Sequence, residues 1–293
     1  MTEQGWKSSD GIPLGPSAAL AGIEWNLRRL REIGVHLPPD NRLERARRLL
    51  ENVNDYKISL TTADRELLAK VAEAQWAAFQ QHIICRTTAN PHGISNSHRE
   101  KLEQMLGGAD LPEWDTNSIA RDTQFELYAG AMLSMGGVPV MLAEPDLQVF
   151  IAGREFGLAA KRVKTPKQLR KRVSEAVKQI RRTRHRGFVV VCVDLLVNDT
   201  GLPGGAMERG AAFDERIARL HELDEWLVEQ EAVVGRMAIG HDSIWHLGGE
   251  RPGLEVAMVR QHRLFPRSSH EEEALKGAFD DAEVLIAERL RNL

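Results

Sequence analysis

Cysteine is nearly absent from this chain, with only Cys85 and Cys192 in 293 residues. They lie far apart and in no Cys-x-x-Cys or Cys/His spacing. That excludes a zinc ribbon and a disulfide framework, and both are expected to be buried small hydrophobes. Histidine does not fill the gap, because His82, His92 and His98 fall without metal-ligand spacing. No apolar run reaches the roughly 18–20 residues that cross a bilayer, and residues 1–30 show no basic-then-apolar leader pattern. The expectation is a cytoplasmic protein with no membrane partner. Internal repeats and low-complexity tracts are also missing.

What is present is a globular composition: 42% hydrophobic and 28% charged residues, enough to build a substantial core. The net charge of -3 conceals a strong asymmetry. Residues 161–186 hold twelve Lys or Arg against one acid, Glu175, so that segment carries +11 and the remainder -14. A basic run is often a solvated helix face, but a block this one-sided in an acidic chain points to a polyanionic partner.

The N-terminal third has helical periodicity. Ile23, Leu27, Leu30 and Ile33 form one stripe, and Leu43, Ala46, Leu49 and Leu50 form another. Thr61 with Asp64 gives a capping-type start to a third helix carrying Leu67, Leu68, Val71, Trp76 and Phe79. Pro38-Pro39 separates the first two helices, and residues 90–93 (Asn-Pro-His-Gly) mark a loop. A loop-like stretch at 107–116 sets a boundary near residue 115, which predicts a helical domain over 1–115 and a second domain over 116–293.

Beyond it the pattern alternates. A helix is expected over 119–134, strands over 138–143, 147–151 and 155–163, and a long basic helix from Thr165-Pro166 to about 184. The continuous β-branched run 188–193 reads as a strand covered on both faces. A loop over 198–205, a helix over 211–229, strands over 233–239 and 254–259 and a closing helix over 271–290 complete the chain. The predicted class is α/β, a mixed sheet flanked by helices, with an N-terminal α-helical domain.

Chemistry concentrates in residues 144–162, EPDLQVFIAGREFGLAAKR. In a strand, Phe156, Leu158 and Ala160 share one face while Gly157, Ala159 and Lys161 share the other. If the preceding hairpin brings Asp146 alongside, a carboxylate and a lysine meet beside a methyl group, where a second carboxylate would complete a hard-cation site. Glu144, two residues from Asp146, is a substitute ligand only if the strand bends.

A helix with Glu126, a strand, Pro145-Asp146, a strand ending Ala-x-Lys, a basic helix with Gln179 and an apolar strand together resemble the PD-(D/E)XK nuclease superfamily, over residues 119–195. The resemblance implies a restriction-endonuclease-like fold and Mg²⁺- or Mn²⁺-dependent hydrolysis of nucleic acid, DNA ahead of RNA. It implies an active site of Asp146, Ala159, Lys161, Glu126 and Gln179. Metal contacts would fall to Asp146, Ala160 and Glu126. Lys161 would orient the attacking water, Glu126 would be the auxiliary acid from the first helix, and Lys167, Arg170, Lys171, Lys178, Arg181 and Arg182 would meet the nucleic acid. Ala159 departs from the pattern: it stands where the family carries an acidic ligand, lost naturally or by engineered replacement, and a methyl cannot coordinate a cation. Two readings follow, an endonuclease impaired at one ligand or an inactive nuclease fold kept for nucleic-acid binding or assembly. The N-terminal helices would serve a protein partner or substrate, and a homo-oligomer stays open. A third reading, an unrelated α/β protein whose basic helix binds an acidic protein, also stands.

Overall fold

The structure is a computed structural model that describes residues 11–12, 16–55, 65–88, 94–111, 114–194, 211–246 and 253–291. Thr61, Asp64 and the stretches 90–93 and 198–205 lie outside the described residues. The centre of the fold is β5 (Gly187–Cys192), a strand whose six residues are all buried. It runs parallel to β4 (Arg154–Arg162) on one side and to β6 (Val233–His246) on the other. A parallel strand between two layers of helices has no solvent face, which is why it reads as an unbroken apolar run.

Two outer strands, β2 (Val140–Ala143) and β3 (Asp146–Ile151), extend the sheet antiparallel beyond β4. On the far side β7 (Gly253–Leu264) pairs antiparallel with β6, and the two-residue β1 (Gly11–Ile12) pairs with β7. The order across the seven-stranded sheet is β1-β7-β6-β5-β4-β3-β2.

Alternation along β4 divides two cores. Phe156, Leu158 and Ala160 join a large apolar cluster with Leu147, Val149 and Ile151 of β3. That cluster takes in α1 (Pro16–Glu32), α2 (Arg42–Asn54), α3 (Arg65–Thr87), α4 (Asn96–Gln104), α5 (Ile119–Met135) and α9 (Ser269–Arg291), so the apolar core runs without a break across residue 115. Ala159 belongs to a second cluster on the opposite face, built with α6 (Leu169–Arg182), α7 (Ala211–His221) and α8 (Asp224–Val228). The architecture is a mixed sheet between helices, an α/β protein as expected.

Several elements differ from the sequence expectation. Pro166 opens a 3₁₀ turn, Pro166–Gln168, and the α-helix starts at Leu169, the first side chain of that stretch to reach the core. The helix expected over 211–229 is two: the chain tightens where the Leu223 N–H donates to the Leu220 carbonyl, turning Leu223 into the second core. Strands β6 and β7 run on through polar residues, because antiparallel backbone pairing from Gly235 opposite Leu264 to His246 opposite Gly253 needs no apolar side chain. Both cysteines are buried and free. Among the described residues no helix is long and apolar enough to cross a membrane.

Candidate active site

Glycine sets the site's geometry. A Cβ on Gly157 would stand 2.8 Å from Pro145 Cδ, so only glycine lets the Pro145 ring lie against β4. That contact draws the start of β3 onto the end of β4. Leu147 pairs with Leu158, and the same register carried one step on puts Asp146 across from Ala159. The Ala160 N–H donates to Asp146 Oδ2 at 2.8 Å, and Lys161 Nζ donates to the same oxygen at 3.0 Å. Nζ also donates to the Ala160 carbonyl at 2.9 Å, and Gln179 Nε2 from α6 reaches Asp146 Oδ1 at 3.5 Å. Asp146, Lys161 and Gln179 therefore meet.

Lys161 and Gln179, which both contact Asp146, line a cleft of about 350 Å³. Asp122 and Glu126 line it from α5, Ala160, Lys161 and Arg162 from β4, and Arg172, Glu175, Lys178, Gln179 and Arg182 from α6. Ala159 faces the same side of the sheet as Lys161 but is 0% exposed, sealed in the second core, and does not line the cleft. Ala160 does line it. Glu126 is at the wall with its carboxylate held by Lys101 Nζ at 2.6 Å. Glu144 is exposed and outside the cleft.

Burial pushes the Asp146 and Glu126 carboxyls above their ordinary values. For Asp146 the ion pair and hydrogen bond from Lys161 oppose the rise without cancelling it. For Glu126 the nearby charge of Asp146 adds to burial, against the pull of Lys101. Carboxyls perturbed by burial beside a cleft mark a candidate functional site.

The six cations expected to meet nucleic acid divide by helix face. Lys178 and Arg182, four residues apart, line the cleft. Arg170 and Arg181 lie on another flank, the first over the Trp226 ring at 5.8 Å and the second donating to Gln230 Oε1 at 2.7 Å. Lys171 and Lys167 are exposed, the latter in the 3₁₀ turn. Sequence reasoning missed Arg162, Arg172, Asp122, Glu175 and Lys101. The signal for three of them was in reach: Arg162 follows Lys161 directly, and Arg172 and Glu175 share a helical face with Gln179 and Arg182.

No protein-family model, curated protein or solved structure matches the chain. The site therefore rests on its own chemistry. Asp146, Glu126 and the Ala160 carbonyl are hard oxygen donors of the kind Mg²⁺ takes. Gln179 Oε1 is buried without a hydrogen-bond partner, an acceptor that fits a cation or its water. The donor types fit a divalent ion, but their number is short: among the described residues no three His, Cys, Asp or Glu side chains group to hold a metal.

Proposed function

We propose that the chain is a nuclease of the PD-(D/E)XK type, with a restriction-endonuclease-like core, that grips nucleic acid, DNA ahead of RNA, in the α5–α6 cleft and is impaired at one metal ligand. The observation that carries this reading is the Asp146–Lys161 pair at 3.0 Å, flanked by Gln179 and opening on a cation-rich cleft. The order α5-β2-β3-β4-α6-β5 supports it. The helices α1 to α4 would form the recognition part, for a protein partner or for substrate, and the protein would work in the cytoplasm.

In this reading the chain's own groups do most of the positioning. Lys178 and Arg182 hold phosphates at the mouth. Lys161, fixed by Asp146 and the Ala160 carbonyl, orients the attacking water and offsets charge on the phosphate as it develops. Asp146, Glu126 and the Ala160 carbonyl would hold Mg²⁺ or Mn²⁺, which when bound polarises the phosphate and lowers the pKa of a water. With a methyl at 159 the set is one carboxylate short, and hydrolysis is slow or absent.

A second reading draws on a specific contact: Lys161 Nζ is bonded to both the Asp146 and the Ala160 oxygens, the place a cation would take. There the ammonium replaces the metal and the fold serves as a nucleic-acid-binding module. Ala159→Glu separates the two. It places a carboxylate across the strand pair from Asp146 in a site sealed from solvent, at an overpacking cost of about 1–3 kcal/mol and a further cost for desolvating the carboxylate. The nuclease reading expects Mg²⁺-dependent cleavage to rise by about 10³-fold or more, roughly 4 kcal/mol of barrier, and to vanish on adding Lys161→Ala. A folded Ala159→Glu protein that binds Mn²⁺ and cuts neither DNA nor RNA leaves the binding-module reading.

A further inference from the structure

The cleft has a half that the Asp146 cluster does not use. Arg162 ends β4, and strand alternation turns it to the face opposite Lys161, toward α5. Its side chain is 9% exposed, its Nη1 has no hydrogen-bond partner, and the nearest carboxylate oxygen, Asp122 Oδ1, stands 3.7 Å away. Asp122 is also committed elsewhere, since its Oδ2 accepts the Ser118 hydroxyl at 2.6 Å. Buried guanidinium nitrogens are ordinarily satisfied, so this one marks the place of a missing acceptor.

Both charge and shape define that acceptor. Arg172 and Arg182 of α6 line the same cleft, so an anion that reaches Arg162 on β4 also meets positive charge from the α6 side. Arg presents donors in a planar fork suited to phosphate oxygens. A cleft of about 350 Å³ is at the small end of ligand pockets and admits one phosphate with its sugar. The backbone of a continuous duplex cannot descend to so recessed a group, whereas a single strand can thread one phosphate into it. Asp122 and Glu175 in the walls repel a long phosphate track and hold the contacts to a few.

We infer that Arg162 seats one phosphate of a single nucleic-acid strand, next to the Asp146–Lys161 pair. This rests on the nucleic-acid reading above and names its substrate form. Asp122 then acts as a competing anion, which gives the two residues opposite signatures.

The test is fluorescence anisotropy of the full chain with a ~12-nucleotide single strand and the matching duplex, in chelator, across salt concentrations. The single strand is expected to bind at least about 10-fold tighter than the duplex. Arg162→Gln should weaken it about 10-fold and flatten the salt slope by about 0.7, the value for one phosphate on a single strand. Asp122→Asn should tighten it several-fold, and this arm decides if Arg162→Gln fails to fold. Tighter binding of the duplex, or affinity indifferent to both substitutions, overturns the inference while leaving the nucleic-acid reading intact. Failure of the unsubstituted chain to bind either probe overturns both.

Discussion

Two aspartates at the same sheet, Asp224 buried and Asp146 largely covered, have surroundings that differ in kind. Asp224, at the start of α8, accepts Arg236 Nε at 2.5 Å and Nη2 at 3.0 Å, and Arg263 Nη1 at 2.7 Å. Arg236 Nη1 passes on to Gln261 Oε1 at 3.2 Å. The aspartate and Arg236 are 4% and 0% exposed. Asp146 is nearly as covered, at 10%, yet among the described residues it is ion-paired with Lys161 alone, its second oxygen has the 3.5 Å contact from Gln179, and Gln179 leaves its own Oε1 without a partner. A fully paired network holds structure together. An incompletely paired one at a cleft keeps capacity for a ligand.

The largest effect expected from breaking this contrast is on stability. Asp224→Ala strands Arg236 as a buried charge without its partner, and should lower unfolding free energy in urea by about 3–5 kcal/mol. Nucleic-acid affinity of the folded fraction should stay unchanged. A loss below about 1 kcal/mol would show that water reaches Arg236 and that the network is not closed.

A second comparison separates the flanks of α6. Replacing Lys178 and Arg182 together with Ala should weaken single-strand binding about 10-fold and flatten its salt slope by about 1.4, two phosphates' worth. Replacing Arg170 and Arg181 should cost about 1 kcal/mol of stability, through Trp226 and Gln230, and leave affinity within about 2-fold. Equal effects of the two pairs on affinity would mean that the whole basic helix is the interface.

These flanks also mark how far the sequence was legible. The strand alternation of β4, the covered β5 and the meeting of Asp146 with Lys161 follow from period-two patterning and the Pro145-Asp146 turn, because local backbone geometry decides them. The charge block was visible too, but a count of cations does not say which face each one takes. That depended on α8 and Gln230 capturing Arg170 and Arg181, contacts made across 49 residues or more. Likewise, the sealing of Ala159 depends on α6 packing over it, and Lys101 reaches Glu126 from another helix. The break between α7 and α8 was hidden because Leu223 fits the helical pattern it interrupts.

The smallest effect is in pH dependence. Asp146 and Glu126 have folded pKa values raised above their ordinary 3.8 and 4.5, chiefly by burial. The folded state then binds their protons more tightly than the unfolded state does. Their contribution to stability therefore grows as pH falls through the raised values toward the ordinary ones, and shrinks above them. The double variant Asp146→Asn, Glu126→Gln should flatten the change in urea midpoint between neutral and mildly acidic pH. An unchanged profile would show that other groups set it.

The sharpest measurement compares Asp146→Asn and Asp224→Asn, each added to Ala159→Glu, with Mg²⁺-dependent cleavage and urea midpoint read on the same samples. Asp146→Asn is expected to abolish cleavage while the midpoint holds or rises, and Asp224→Asn to lower the midpoint while the rate per folded molecule holds. Cleavage that survives Asp146→Asn, or a loss of rate per folded molecule with Asp224→Asn equal to that with Asp146→Asn, would contradict it.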